Sequence, residues 1–297
     1  MVVLSTRGVS VRSNDVDVVE DVCHSVQCGG GEPEIQASLV VLSVLLTLGL
    51  VATFRHIEEA RSLVTREHDR TATELDAFTE FERKLTGIEA TRSVPASGNV
   101  VAMASESPDR QLEQVQDAYR ETVMSVPHYD SEYDEPLEVN MTAELGEEVA
   151  AAVVDGTRFT GQLKQGLMAQ CNEARRRRAE LLTMLDREER RLVDAKADLS
   201  DIESALDAET PESPPDLSFP ELSDRWERLG GVEDRCRDLL DDYATTRRNT
   251  PGERPEFREY VYRSLPSEYP VLSDGTRLLD RIGDCRRSVL RALTRRA

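Results

Sequence analysis

The sequence from Gln162 to Ala208 carries a heptad pattern of apolar residues, which constrains the fold more than any other feature. In its second half, steps of four and three residues alternate, and this is the period of a helical seam that packs against another helix. At 1.5 Å per residue that half extends for about 39 Å. The seam consists of Leu181, Leu185, Glu188, Leu192, Ala195, Leu199, Ile202 and Leu206, with Glu188 as its one acidic member. Past a local stutter it continues upstream through Leu163, Leu167 and Ala174.

A second seam follows after the break "ETPESPPDLSFPEL", whose four prolines cannot continue a helix. It consists of Leu222, Trp226, Leu229, Cys236, Leu240 and Tyr243. Two amphipathic helices joined by a short proline-rich loop predict an antiparallel hairpin, closed either within one chain or between two chains. The residues expected to make these helix contacts, or contacts with a partner, include Leu181, Leu185, Leu192, Leu199 and Trp226.

A continuous apolar run from Ile35 to Phe54 contains no charged residue. Roughly 20 apolar residues match a hydrocarbon core about 30 Å thick, so the run predicts a transmembrane helix in contact with membrane lipid. A signal peptide fits less well, because the preceding residues are acidic and no small-residue cleavage site follows. Arginines follow the run and none lies in the 20 residues before it, which predicts an N-terminus outside the cell membrane and a cytoplasmic C-terminal part.

The pattern as a whole predicts an all-α fold, in which one N-terminal transmembrane helix precedes a cytoplasmic bundle with a long antiparallel coiled-coil hairpin. Aromatic residues make up only 5% of the chain, which favours helices packed along aliphatic seams. The predicted segments are a disordered external N-terminus (1–33), the transmembrane helix (34–55), a juxtamembrane amphipathic helix (56–90), a linker (91–108) and a helical coiled-coil domain (109–297). If the true start codon lies downstream, the first 33 residues are incidental.

Capping residues and helix-breaking residues predict where the individual helices begin and end. The juxtamembrane helix, with its apolar seam near period 3.5, is expected to continue directly from the membrane span. A helix from Asp109 to about Ser125 must stop before Pro127. A second short helix is predicted from Thr142 to Asp155, halted at "DGT".

The charge balance is strongly acidic, with a formal net charge of -20. Lysine occurs only at Lys84, Lys164 and Lys196, so arginine supplies nearly all the positive charge. Excess acid with almost no lysine is typical of proteins adapted to concentrated salt, where long-range charge effects are screened. This balance speaks against nucleic-acid binding, which depends on basic residues that displace phosphate counterions.

Two basic stretches and the cysteines invite functional interpretations. The run Arg175–Arg178 is predicted to be a solvated helix face paired with nearby glutamates. The terminal "CRRSVLRALTRRA" fits an inner-leaflet helix, but packing in the bundle is favoured. Cys23 and Cys28, with His24 between them, supply too few ligands for structural zinc, and no cofactor is predicted. The other three cysteines are expected to be small buried hydrophobes.

The stretch "SVPHYDSEYDEP" concentrates polar groups around two prolines. Its weak candidates for a hard-cation site are His128, Asp130, Glu132 and Asp134. The spacing lacks the aspartate and glycine pattern of a calcium loop, so an acidic connector is favoured, with Tyr129 and Tyr133 as packing or partner-contacting residues.

No phosphate loop, dinucleotide turn, nucleophile elbow, zinc-protease motif or catalytic triad occurs in the sequence, so no catalytic residue is predicted. The leading hypothesis is a non-enzymatic scaffold or adaptor that acts through coiled-coil contacts with a protein partner or with itself. The first alternative is a membrane signalling component that relays a change through the juxtamembrane helix. The second, less favoured, is a metal-dependent enzyme around His128.

Two stretches carry a family resemblance: "AYRETVMSVPHYDSEYDEPLEVNMTAELG", Ala118–Gly146, and "REYVYRSLPSEYPVLSDGTRLLDRI", Arg258–Ile282. They resemble an uncharacterised family of haloarchaeal membrane proteins, a domain of unknown function. The resemblance covers the chain from about Ile35 onward and leaves the first 33 residues unmatched. It implies a haloarchaeal source, a transmembrane anchor and a helical coiled-coil cytoplasmic domain. It implies no activity, cofactor or catalytic residue.

Overall fold

The computed structural model of the chain describes residues 54–91, 110–210, 217–249 and 255–296. Within these ranges the structure is helical and contains no strand, which confirms the predicted all-α class. The helices are α1 (Arg55–Gly87), α2 (Arg110–Thr122), α3 (Tyr129–Glu132), α4 (Leu137–Leu145), α5 (Glu147–Val154), α6 (Gly161–Ala208), α7 (Phe219–Asn249), α8 (Pro255–Val261) and α9 (Pro270–Arg296). A short 3₁₀ helix, Val123–Ser125, follows α2 and ends before Pro127, as predicted.

Helices α1 and α6 form an antiparallel pair, and each is the other's most extensive partner. The direction follows from the polar contacts between them, because later positions on α1 meet earlier positions on α6. Lys196 of α6 bonds to Glu58, near the start of α1. Lys164, near the start of α6, donates to the carbonyl of Thr86, near the end of α1. Since α1 has 33 residues, the pair is roughly 50 Å long.

The two facing seams follow heptad spacing with polar residues near the middle. On α1, Ile57, Val64, Thr71, Phe78 and Leu85 are all buried and lie seven residues apart. The α6 seam has no stutter, contrary to the prediction, because Cys171 and Arg178 fill the positions that seemed irregular. Arg178 is charged, so it interrupts the apolar pattern in the sequence without interrupting the seam.

Two apolar cores lie at opposite ends of the α1–α6 pair. The first contains the start of α1, the seam Leu185–Leu206 and residues of α7, α8 and α9. The second contains Phe78, Phe81 and Leu85 of α1, the first part of α6 and the short helices α2, α4 and α5. Between the cores, Thr71 is buried and Glu74 is largely enclosed.

The predicted α6–α7 hairpin is only a minor part of the packing. The two helices touch and share the first core, but α7 packs most extensively against α9. That approach is close at Gly275, where an added Cβ would lie 2.3 Å from a methyl carbon of Leu240. The sequence could not identify the main partner of α6, because any apolar helix stripe of suitable length satisfies the same heptad pattern.

Helix α1 begins at Arg55, and the apolar run with which it is expected to be continuous lies outside the described residues except for Phe54. Phe54 has φ -119° and ψ 50°, outside helical geometry. The backbone N–H of Ile57 donates 2.9 Å to the carboxylate of Asp274, from α9. This carboxylate, only 1% exposed, satisfies one of the amides that a helix start leaves without an intrahelical acceptor.

The opposite end of α1 is held by a cation. The Lys164 ammonium donates to the carbonyls of Thr86 and Ile88 at 2.9 and 2.7 Å. A positive charge is favourable at a helix C-terminus, where carbonyls lack intrahelical donors. Helix α1 is therefore stabilised at both ends by charged side chains from other helices.

Several predicted segments lie outside the described residues: the external N-terminus, the membrane span except Phe54, and the linker from residue 92 onward. In the part of the chain that the structure describes, no helix is long and apolar enough to cross a membrane.

The predicted helix Thr142–Asp155 is instead two helices, α4 and α5, and the first begins earlier, at Leu137. The chain turns between them at Gly146, which has φ 89° and ψ 150°. This conformation is almost restricted to glycine, because a Cβ would clash with the local backbone. Apolar residues on both sides of the turn, Met141, Leu145, Ala150 and Val153, can then enter the second core.

We expect Gly146→Ala to lower the free energy of unfolding by about 1 to 3 kcal/mol, the usual cost of a strained φ/ψ. Nothing lies within 4 Å of the added methyl group, so the loss would report backbone strain alone. Denaturant unfolding followed by circular dichroism measures the change.

Gly87→Ala is the matched control, since its added methyl group also meets nothing within 4 Å and its backbone does not require glycine. This variant should be neutral or slightly stabilising. Equal effects of the two substitutions would contradict the role assigned to the Gly146 turn.

Candidate functional site

A cluster of charged and hydrogen-bonding side chains lies between the two apolar cores. At its centre, Arg178 of α6 donates from Nε to Glu74 of α1 at 2.9 Å. The exposed fractions of the two side chains are only 11% and 16%. We call Glu74, His128, Tyr133, Glu144 and Arg178 the Glu74 cluster.

Arg178 is held from three directions. Its two terminal nitrogens donate to both carboxylate oxygens of Glu144, at 2.8 and 3.0 Å, in the bidentate geometry that suits a guanidinium. Its guanidinium carbon lies 4.3 Å from the centre of the Phe78 ring. The neighbouring Arg177 donates to the backbone carbonyl of Glu144 at 3.0 Å. Arg178 therefore links α1, α4 and α6.

The remaining contacts of Glu74 come from the connector between α2 and α4. Tyr133 donates its hydroxyl to Glu74 at 2.9 Å. His128 Nε2 lies 3.0 Å from the same oxygen and acts as donor, because an ionised carboxylate can only accept. Glu74 thus accepts hydrogen bonds from three side chains.

The connector reaches Glu74 because helix α3 and a tight turn shape it. Asp134 adopts φ 45°, a left-handed conformation that aspartate tolerates better than most residues. Its N–H donates to the carbonyl of Tyr129 at 3.1 Å. The Tyr129 ring is buried 5.6 Å from the Tyr133 ring, and its hydroxyl donates to the carbonyl of Glu135. This packing orients the hydroxyl of Tyr133 toward α1.

The cluster keeps Glu74 ionised. Burial raises the pKa of the Glu74 carboxyl, but the charge of Arg178 and the hydrogen bonds from His128, Tyr133 and Arg178 outweigh burial, so its pKa lies below the ordinary 4.5. Burial and the Glu74 charge raise the pKa of Tyr133, so this residue remains a hydroxyl donor at neutral pH. Glu74 therefore stays ionised, with hydrogen bonds supplied by the other side chains of the cluster.

The four weak metal candidates do not converge. His128 contacts Glu74, and Glu132 pairs with Arg70 of α1 at 2.5 Å. Asp130 and Asp134 are exposed. Across the described ranges, no group of three or more histidine, cysteine, aspartate or glutamate side chains is arranged to hold a metal ion.

The interaction candidates divide into buried and accessible residues. Leu185, Leu192 and Leu199 are fully buried in the first core, and Leu181 is partly buried against it. Tyr133 and Trp226 remain 38% and 36% exposed. The seam leucines thus pack within their own chain, and surface contacts are left to residues such as Tyr133 and Trp226.

The predicted solvated face of Arg175–Arg178 is right for Arg176 and wrong for Arg178. Arg176 is 58% exposed and pairs with Glu173 and Glu180 within its own helix. Arg178 lies two residues, or about 200° of helix rotation, away and therefore points into the α1–α6 interface. The useful sequence signal is its heptad position between Ala174 and Leu181, where an interior residue is expected.

Two further acidic residues are buried at contacts made by Arg258–Ile282, the second stretch that carries the family resemblance. Glu188, the acidic member of the α6 seam, is 3% exposed and accepts 2.6 Å from the hydroxyl of Tyr262. Asp274, besides contacting Ile57, lies 2.7 Å from Nδ1 of His56. The nearby Tyr260 hydroxyl donates to Glu67 of α1. The first stretch that carries the family resemblance supplies hydrogen-bond donors to Glu74 of α1. The second stretch supplies tyrosine donors to Glu67 and Glu188, and it also supplies the Asp274 carboxylate that contacts α1.

Two cysteines show the character expected of buried hydrophobes. Burial raises the pKa of Cys171 to about 12 and that of Cys236 to about 11. Both thiols are therefore protonated and unreactive at neutral pH. Cys285 is half-buried, and Cys23 and Cys28 lie outside the described residues.

Within the described residues, the seams of α1 and α6 are held together by buried carboxylates and their hydrogen-bond donors. The sequence profile of the domain of unknown function DUF7260 matches residues 55–286, and the chain belongs to this family. Comparison with curated proteins and with solved structures gave no match. The match confirms the resemblance as far as a domain of unknown function, while the haloarchaeal source and the membrane anchor stay predictions.

We expect Arg178→Gln to lower the free energy of unfolding by about 3 to 5 kcal/mol, because it leaves two enclosed carboxylates without their shared cation. Denaturant unfolding measures the loss. Arg176→Gln is the matched control on the same helix, and it should leave stability nearly unchanged because exposed ion pairs contribute little. Similar losses for the two variants would show that the Glu74 cluster does not hold the helices together.

The stability contributed by Glu74 should depend on pH. Because its folded pKa is lowered, its ionised form stabilises the fold above the unfolded pKa, and this stabilisation is lost as pH falls through the folded pKa. Glu74→Gln should therefore cost about 2 kcal/mol at neutral pH and progressively less in acid.

Unfolding curves of the two proteins from neutral to acid pH test this expectation. Asp130→Asn, at an exposed position of the connector, is the control and should show no such convergence. A difference between Glu74→Gln and the unsubstituted protein that stays constant into acid would contradict the assignment.

Proposed function

We propose that this protein is a non-enzymatic, membrane-anchored scaffold whose α1–α6 pair acts as a rigid spacer. The observation that supports this role is the set of hydrogen bonds within the Glu74 cluster. Its most enclosed carboxylate accepts from three side chains of its own chain, so the groups best suited to chemistry are occupied in holding helices together.

The anchor is the apolar run Ile35–Phe54, which is long enough to span a bilayer and is followed by arginines. In this proposal the chain enters α1 from the cytoplasmic face of the membrane. A partner bound at the α2–α5 end would then be held roughly 50 Å along the helix axis from Arg55. The acidic, lysine-poor surface suits a salt-rich cytoplasm.

The spacer is stiff for a physical reason. Helix α1 is fixed at its start by Asp274, at its middle by Arg178 and at its end by Lys164. These contacts come from α9 and from two separate points on α6. Bending α1 would break at least one charged hydrogen bond, and each is worth about 1.5 to 3 kcal/mol.

The signalling alternative requires coupling between α1 and the segment before it, and that segment lies outside the described residues. The metal-dependent enzyme has no supporting observation in the described residues, because His128 and Glu132 contact different residues of α1.

Replacing Leu45 and Leu46 by glutamate should release the protein from membranes, because a charged residue at the centre of a spanning helix costs about 3 kcal/mol. The unsubstituted protein should stay with the membrane after alkaline extraction and should label a repeatable set of neighbours in a proximity-labelling experiment at high salt. The double variant should lose both properties.

Val193→Glu, at an exposed position of α6, controls for the added charge and should remain in the membrane. Complete extraction of the unsubstituted protein would overturn the anchor. Firm membrane association without a repeatable protein neighbour or self-association would overturn the scaffold and leave the anchor intact.

A further inference from the structure

Large apolar side chains are exposed at the start of α7 and near the end of α9. Phe219 and Leu290 are 49% and 51% exposed, and Trp226 is 36% exposed. We call these three residues the tip patch. Other residues of the same helices, such as Leu222, Leu229 and Val289, are buried in the first core.

Helices α7 and α9 pack antiparallel, so the tip patch lies where the start of α7 meets the end of α9. The Arg286 guanidinium lies 4.4 Å over the Trp226 ring and also pairs with Glu233. Phe219 is seven residues before Trp226, so both lie on the same edge of α7. Leu290 is four residues after Arg286 and lies on the facing edge of α9.

The exposed face at the end of α9 has the opposite charge to the chain as a whole. From Gly283 to Arg296, α9 carries five arginines and one aspartate, in a protein of net charge -20. Arg287, Arg291 and Arg295 are exposed and spaced four residues apart, so they form one stripe beside Leu290. The facing segment Phe219–Gly230 carries three acids and two arginines. Acids at the end of α6 pair with Arg228 and Arg281, so the positive charge is confined to the exposed face of α9.

We propose that the tip patch and its arginine stripe dock onto an anionic lipid surface. Aromatic rings and arginines with apolar stems suit the boundary between headgroups and acyl chains, and a basic amphipathic helix face attracts anionic lipid.

A second copy of the chain is a poorer occupant of the same surface. A symmetric contact brings the same patch of both copies together, which would place one arginine stripe beside another. Lipid phosphates instead supply the complementary charge. In concentrated salt the attraction between charges weakens, and the apolar residues then supply most of the binding.

Trp226 is the only tryptophan of the chain and therefore reports on the tip directly. The full-length protein is reconstituted in vesicles of phosphatidylglycerol or of phosphatidylcholine, each with brominated acyl chains that quench tryptophan. At low salt we expect Trp226 fluorescence to fall about twofold more in the anionic vesicles. The triple variant Arg287→Gln, Arg291→Gln, Arg295→Gln should remove this difference, and Leu290→Glu should reduce quenching in both lipids.

The double variant Arg187→Gln, Arg190→Gln on an exposed part of α6 removes charge elsewhere and should quench like the unsubstituted protein. Thermal unfolding confirms that each variant is folded. Equal quenching of the triple variant and the unsubstituted protein would overturn the proposal. Protection of Trp226 from both brominated lipid and aqueous acrylamide would also overturn it, because a protein partner or second copy would then cover the tip.

The anchor and the tip can be distinguished by adding the Leu45→Glu, Leu46→Glu variant to preformed vesicles. Quenching by anionic vesicles that persists in this variant supports tip docking even if the anchor proposal fails. Stable insertion of the unsubstituted protein without quenching of Trp226 supports the anchor and overturns tip docking.

Discussion

The buried contact between Glu74 and Arg178 is the constraint on which the α1–α6 pair depends. Two charged side chains can be buried only if all their donor and acceptor atoms find partners. The hydrogen bond between Glu74 and Arg178 leaves some of these atoms without a partner. Glu144 satisfies the rest of Arg178, while His128 and Tyr133 satisfy Glu74. The pair therefore requires α4 and the acidic connector to fold onto it, and a shifted register would leave an enclosed charge without a partner.

The same requirement explains why the domain has two apolar cores on one long helix pair. A continuous aliphatic seam would tolerate sliding by a heptad, because each step restores similar contacts. Polar residues at the middle of the seam remove that freedom, as a buried polar residue does in other coiled coils. Each core can then pack tightly around its own set of helices. The two stretches that carry the family resemblance supply hydrogen-bond donors to the buried carboxylates, and these contacts make the arrangement specific.

The sequence predicted the helices better than their partners. Helix α6 and the extent of α1 follow from local period and helix breakers, which do not depend on tertiary contacts. The main partner of α6 and the turn at Gly146 depend on packing across the chain and were missed. The prediction that Arg178 is solvated is wrong, because a run of four arginines makes its interior heptad position difficult to recognise. The contact between the acidic connector and Glu74 joins residues more than 50 positions apart and has no local signal.

Each of the three lysines bridges two helices: Lys84 contacts Glu121, Lys164 contacts the end of α1, and Lys196 contacts Glu58. A chain that otherwise uses arginine has kept its flexible, strongly hydrated ammonium groups at helix junctions. Reagents that modify amines will consequently find side-chain targets only at these junctions. Acetylation would remove the charge at each contact, so amine chemistry would loosen the attachment of α1 to its neighbours while leaving the arginine-rich surface untouched.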